Sequence, residues 1–275
     1  MKFGYILLLA LVLTTNYGCL DEVGPSITIE KTDRVVLIEE FTGVQCVNCP
    51  QGSAEINALA QTYGQNLIAV SIHGGTFSDP YPDSQYDFRT PDGNDLIGYL
   101  NAPSTGPAGY PAAVINRKSH NGPGQDRAVF QSSWSGIIGN EVQQKADVQI
   151  EMNKSYDAAT RVLTINPTLF FQEAVSGEVH FTALITQDSI IDVQLDQGGK
   201  VPDYAHRHVL RDVITASYSG DVVGTDIPKD ATENVNYTYT IPNDWDVSKC
   251  YIVVFVNRND GSTIDVLQAA EAHVE

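Results

Sequence analysis

Cys46 and Cys49 stand three positions apart in Cys46-Val47-Asn48-Cys49. Two thiols at that separation can close a reversible disulfide. The apolar run before them, Val35-Val36-Leu37-Ile38-Glu39-Glu40-Phe41, is rich in β-branched residues and predicts a strand. Gly52 to Tyr63 carries apolar residues at helical spacing. A turn from strand into helix presents unpaired N–H groups and partial positive charge, which favour the Cys46 thiolate. A thiolate is the species that attacks a disulfide. The spacing therefore points to exchange in which Cys46, at the exposed start of the turn, attacks and Cys49, further into the helix, resolves.

The elements that must hold this turn read as β-α-β from Arg34. A helix near Pro50–Tyr63 follows the cysteines. Leu67–His73 is a continuous apolar run, as expected of a parallel strand covered on both faces. Gly74–Pro91 reads as a long loop and Asp92–Asn101 as a short helix. Pro111 opens a further apolar strand to Asn116, Asn121-Gly122-Pro123-Gly124 is a turn, and Arg127–Lys145 has helical spacing. After about Ala146 only strand patterns remain. Val148, Ile150 and Met152 alternate, as do Leu163 and Ile165. Phe181–Thr186, Val235–Ile241, Tyr251–Val256 and Thr263–Ala269 add further runs. Such strands joined by Asp, Gly, Asn and Pro turns predict an antiparallel, immunoglobulin-like sandwich.

The bulk composition narrows the function. The 275 residues suffice for two domains, and a formal net charge of −18 supplies no basic stripe for nucleic acid or anionic lipid. Residues 1–18 read as a signal peptide: Lys2 precedes an apolar run too short to span a bilayer. The Gly18-Cys19 step resembles a lipobox, whose Cys becomes the lipidated first residue. Plain secretion after cleavage near Gly18 is the alternative. Either route leads to an oxidising compartment, where a disulfide persists. Residues 19–33 then form the lipidated Cys and a polar tether. With Cys19 acylated, Cys46 and Cys49 form the pair and Cys250, inside a strand-like run, is left over as a buried thiol.

A strand ending in C-x-x-C, the helix after it and a later Pro before a strand resemble the thioredoxin superfamily. That resemblance implies a cis bond before Pro111, set against the disulfide. It also implies a buried carboxylate six residues before the first Cys, which is Glu40. In this reading Glu40 relays a proton to or from Cys49, which needs a raised pKa in an apolar setting. Gln45 and the Val47-Asn48 dipeptide depart from the superfamily pattern. More narrowly, Glu40–Gly43, Cys46–Pro50, His206–Arg211 and Val266–Ala270 resemble the 28-kilodalton outer-membrane-protein-related lipoproteins of Gram-negative bacteria. That family pairs a thioredoxin-like domain with a C-terminal β domain.

The expectation is an α/β thioredoxin-like domain at 34–145 followed by an all-β immunoglobulin-like sandwich at 146–275. The function expected is thiol–disulfide exchange by an outer-membrane lipoprotein, on protein thiols or disulfides. Its catalytic residues would be Cys46, Cys49, Glu40 and Pro111, and Cys19 would carry the lipid. The alternative is a surface binding or adhesin-type lipoprotein in which the pair is only structural. No metal or cofactor is expected. Zinc would need two ligands beyond the pair, and His206 with His208 would share one side of a strand. These histidines also fit plain packing. Glu39 replaces Glu40 as the buried carboxylate if the register of the first strand differs. His73 ends its strand on the side where the Cys turn lies, as a site neighbour or a capping residue.

Overall fold

The computed structural model describes residues 33–101, 109–122, 125–261 and 263–275. The chain is mostly β, with few helices and a sheet-rich C-terminal region. Strand β1 (Val36–Thr42) leads through the Cys turn into helix α1 (Cys49–Tyr63), and β2 (Leu67–His73) returns parallel to β1. Helix α2 (Gly93–Asn101) precedes β3 (Ala112–Ile115), which runs antiparallel to β1. Both β1 and β2 are buried at every position. One face packs on α1 and on α3 (Trp134–Glu141) through Val36, Ile38, Leu67, Ala69 and Trp134, the other on α2 through Leu37, Phe41, Val70, Leu96 and Leu100. Burial on two faces is why these strands read as unbroken apolar runs.

The helix expected over Arg127–Lys145 is shorter. Val129–Phe130 forms β4 and only Trp134–Glu141 forms α3. Val129 takes a place beside Ala113 at the sheet edge, and this pairing overrides local helical spacing.

The C-terminal region holds β5 (Val148–Glu151), β6 (Lys154–Asp157), β7 (Val162–Ile165), β8 (Thr168–Phe171) and β9 (Val175–Gln187). It continues with β10 (Ile190–Asp196), β11 (Gly199–His206), β12 (Val209–Val213), β13 (Asp221–Ile227), β14 (Thr232–Asn234), β15 (Tyr237–Thr240), β16 (Cys250–Arg258) and β17 (Val266–His273). Two three-stranded sheets, β14-β8-β5 and β15-β7-β6, pack their inner residues on β9 and β16. Phe181, Ala183 and Ile185 of β9 face this layer with Ile252, Val254 and Val256 of β16. The alternate residues Leu184, Val253 and Phe255 face the α2 side. Side chains of a strand alternate between faces, so β9 and β16 serve two cores at once.

The boundary near Ala146 does not interrupt the main sheet. Among the described residues its nine strands run β17-β16-β9-β12-β2-β1-β3-β4, with β13 paired to β9. The regions join where Val209 of β12 pairs with Ser71 of β2 and the Ser71 N–H donates to the His208 carbonyl at 2.8 Å. Farther round, the Arg34 guanidinium donates to the carbonyls of Val266 and Leu267, and the Val266 N–H donates to the Asn116 carbonyl. These bonds bring β17 back against the start of β1. The described residues accordingly belong to one compact unit.

Candidate functional site

The Cys turn is built by short backbone bonds. The Cys46 N–H donates to the Gly43 carbonyl at 3.0 Å, and the Cys49 N–H to the Cys46 carbonyl at 3.3 Å. Cys46 and Cys49 are joined as a disulfide. Cys49 is the first residue of α1, Pro50 follows where a missing N–H costs nothing, and the first turn has no acidic residue. The Cys49 N–H is spent on the Cys46 carbonyl, Pro50 has none and the Gln51 N–H goes to the Asn48 carbonyl, so what α1 offers the disulfide is the positive end of its dipole, with no acidic residue in the first turn to oppose it.

Behind the disulfide sits Glu40, on the α1 face of β1 and 1% exposed. Its Oε2 accepts the Ser71 hydroxyl at 3.1 Å, while Oε1 has no hydrogen-bond partner among the described residues. Burial pushes its carboxyl up to about 8, against a smaller lowering by Ser71. Gly52 of α1 makes room for it: a Cβ there would lie 2.7 Å from Glu40 Oε1 and 2.8 Å from the Pro111 Cβ. Pro111 follows a cis bond from Tyr110. Thus Glu40, Pro111 and the start of α1 converge.

Glu39 is also fully buried but differs in kind. It points to the other face and receives a two-pronged bond from Arg117, Nη2 to Oε1 at 2.8 Å and Nε to Oε2 at 3.0 Å. Asn116 and Arg117 both adopt positive φ, 49° and 53°, in the turn that swings the guanidinium inward over the Phe255 ring. The register question over which glutamate is buried thus resolves to both, one paired and one not.

The histidines are not arranged as a shared strand face. His206 ends β11, whereas His208 lies in the connection before β12 with φ 53°. His206 instead stacks near His73, ring centroids 5.7 Å apart, with Phe88 at 4.5 Å and Tyr204 at 4.9 Å. His73 Nδ1 and His206 Nε2 are buried without partners among the described residues. Burial pulls His73 down to about 3, helped by His206, and His206 down to about 4. Both are neutral packing groups at neutral pH. No cluster of three or more His, Cys, Asp or Glu suited to a metal occurs among the described residues.

Cys46 departs from the exposed position expected of it: it is 3% exposed, and Cys49 1%. The cause is the β10–β11 hairpin, which the sequence reading missed. Gln194 Nε2 donates to the carbonyls of Cys46 at 3.1 Å and Gly43 at 3.2 Å. The Leu195 N–H donates to the Val44 carbonyl at 2.8 Å. The signal that could have found the hairpin is Gln197-Gly198-Gly199, a turn between two runs of alternating residues. Cys250 is a buried free thiol, pushed up to about 11 chiefly by burial. A groove of about 840 Å³ lies elsewhere, at Ala60, Gln65, Ile150, His208 and Glu271, and touches neither Cys of the pair. Cys19 lies outside the described residues.

Fold and site together define a protein with a helix-capping disulfide on a mixed sheet that continues into a layered β region. A family model described as outer membrane protein Omp28 matches residues 103–274. That is more than half of the sequence, and the chain belongs to this family, which suggests a location in the cell envelope. No helix among the described residues is long and apolar enough to cross a membrane. No curated protein matches the chain. Among solved structures, HBP35 of Porphyromonas gingivalis is similar with a TM-score of 0.67 and 16% identity, over 89% of this chain and 76% of that one. A protein of Agrobacterium tumefaciens is similar with a TM-score of 0.54 and 14% identity, over 89% of this chain and 97% of that one. At these identities the likeness is one of fold.

Proposed function

We propose that the chain is an exported, outer-membrane-anchored lipoprotein, lipidated at Cys19, whose N-terminal region is thioredoxin-like and exchanges disulfides with protein thiols. The β region is of immunoglobulin-like sandwich type. The order β1, Cys turn, α1, parallel β2, antiparallel β3 with Pro111 at its entrance supports the fold reading. The observation that carries the chemistry is the unpaired Glu40 carboxyl buried beside Gly52, at the helix end that bears the disulfide.

In the reduced protein, the Cys46 thiolate attacks one sulfur of a substrate disulfide. A bond forms from Cys46 to that sulfur, and the substrate's other sulfur leaves as a thiolate and takes a proton. Cys49 then loses its proton and attacks the Cys46 sulfur. The Cys46–Cys49 bond forms, the second substrate thiolate leaves, and two electrons have passed to the substrate. Run backwards, the same steps oxidise a substrate dithiol. Glu40, holding its proton near neutral pH and releasing it near pH 8, is matched to exchanging a proton with Cys49.

The test is mixed-disulfide trapping in the native cell with Cys49→Ala. Covalent partners are expected and should vanish in Cys46→Ala/Cys49→Ala. The near-complete burial of both cysteines favours a second reading, a binding lipoprotein with a static disulfide. An absence of trapped partners, with Cys46 slow towards alkylating reagents at pH 7, would select it.

A further inference from the structure

Five observations concern the β10–β11 hairpin. Among the described residues it is a two-stranded sheet of its own, hydrogen-bonded strand to strand and not into the nine-stranded sheet. Its two roots lie side by side, where Gln187 of β9 pairs with Val209 of β12. A residue at each root has positive φ, Ser189 at 55° and His208 at 53°, a conformation uncommon for residues other than glycine. Between the roots the hairpin reaches across to the Cys turn and fastens there through Gln194 and Leu195. Asp192, itself buried, fastens the hairpin to the 79–89 loop by accepting the N–H groups of Gln85 at 3.0 Å and Tyr86 at 2.8 Å.

We infer that the β10–β11 hairpin is a hinged cover over the Cys46–Cys49 disulfide, pivoting at Ser189 and His208 and latched by Gln194 and Leu195. Exchange at Cys46 then proceeds through an open state. An attacking thiolate must approach in line with the S–S bond, and a sulfur sealed under a hydrogen-bonded strand has no such approach while the latch is closed. The bonds to the Cys turn are few and each of modest net strength; full opening also releases Asp192 from the 79–89 loop and the packing of Ile190 and His206 on Phe88, a sub-global opening that leaves the nine-stranded sheet paired. The cover also sets the class of partner. A folded surface cannot reach Cys46 under the closed hairpin, whereas an extended segment can take the place that Leu195 holds on the Val44 carbonyl. This inference rests on the exchange reading for its purpose but not for its test.

The test follows reduction of the oxidised protein by dithiothreitol, whose two thiols become a cyclic disulfide as the pair becomes two thiols. The wild type is expected to reduce at least about tenfold more slowly than a peptide of residues 43–52, since closed protein is unreactive. Gln194→Ala should speed reduction by about threefold or more, as loss of a typical hydrogen bond allows. Leu195→Pro, which deletes the N–H given to Val44, should act in the same direction, with far-UV circular dichroism reporting whether the sheet is intact. Where Leu195→Pro fails to fold, Gln194→Ala decides. Reduction of the wild type at the rate of the peptide, or a Gln194→Ala rate equal to wild type, would overturn the cover. Trapping in Gln194→Ala/Cys49→Ala separates the two claims: faster reduction without trapped partners keeps the cover and removes the exchange function.

Discussion

The core between β9, β16 and the two small sheets and the core around β1 and β2 follow opposite rules. The first is filled by Leu163, Ile165, Leu169, Phe171, Phe181 and Val254, apolar side chains that ask nothing of their neighbours but shape. The second buries Arg34, Glu39, Glu40, His73 and Arg117 along β1, β2 and the turn after β3, and Asp192 is buried in the hairpin beside it. Burying a charge costs several kcal/mol unless it is paired, so polar groups persist where something besides stability holds them. Glu39 is paired and Glu40 is not. The difference teaches where to look: the paired group looks structural, and the unpaired one marks the candidate chemistry.

The largest effects should come from breaking each core by its own rule. Arg117→Met strands Glu39 without its guanidinium and should cost about 3–5 kcal/mol in urea unfolding. Glu39→Leu/Arg117→Met should recover much of that, because both charges leave together. Phe181→Ala in the apolar core should cost about as much, 3–5 kcal/mol, by loss of burial and a residual cavity. No second substitution nearby should rescue it without refilling the volume. An Arg117→Met loss below about 1 kcal/mol would erase the distinction between the cores.

Glu40 gives the next largest effect, and it is one of pH. Its folded pKa, about 8, lies above the ordinary 4.5. Between those values the unfolded chain has released the proton that the folded chain keeps, so stability falls as pH rises through this window and levels off above it. Glu40→Gln removes that fall. The variant should gain on the order of 3–5 kcal/mol relative to wild type between pH 5 and pH 8.5. Parallel stability curves across this range would mean that Glu40 ionises freely and has no part in proton exchange.

The sequence carried the α/β region well because β1, β2 and α1 announce themselves by unbroken apolar runs and a helical period. Cys46, Cys49, Glu40 and Pro111 could be placed together from their spacing and resemblance. The β10–β11 hairpin escaped because its strands are polar on one side and owe their position to contacts more than 140 residues distant, such as Gln194 to Cys46. No local pattern encodes such a contact. The helix expected over Arg127–Lys145 came out short for the same cause in reverse: helical spacing holds for Trp134–Glu141, but Val129 is claimed by the sheet. The family match, over residues 103–274, omits the Cys turn altogether, so family membership and candidate chemistry rest on different parts of the chain.

His206 is a smaller lever on the same site. It lies in the hairpin, faces His73 and Phe88, and is held near 4 by burial, against an ordinary value of 6.5. Below pH 6.5 the unfolded chain takes up a proton that the folded chain refuses, so stability is lost as pH falls from 6.5 towards 4. His206→Phe should remove roughly 2–3 kcal/mol of this acid-side loss. His73 contributes a similar limb that the substitution leaves in place.

The smallest effect distinguishes what fastens the hairpin. Lys200, near its tip, pairs with Asp83 at 2.7 Å and sits over the Tyr81 ring. Both partners of the ion pair are well exposed, 43% and 56%. Exposed pairs gain little because water screens them and two long side chains must be held still. Lys200→Ala should therefore shift stability by no more than about 0.5 kcal/mol. It should also leave dithiothreitol reduction within about twofold of wild type, where Gln194→Ala changes it more. A rise in reduction rate as large as that of Gln194→Ala would move the latch from the buried amide at the Cys turn to the exposed tip, since a contact that governs opening must be one whose loss the closed state feels.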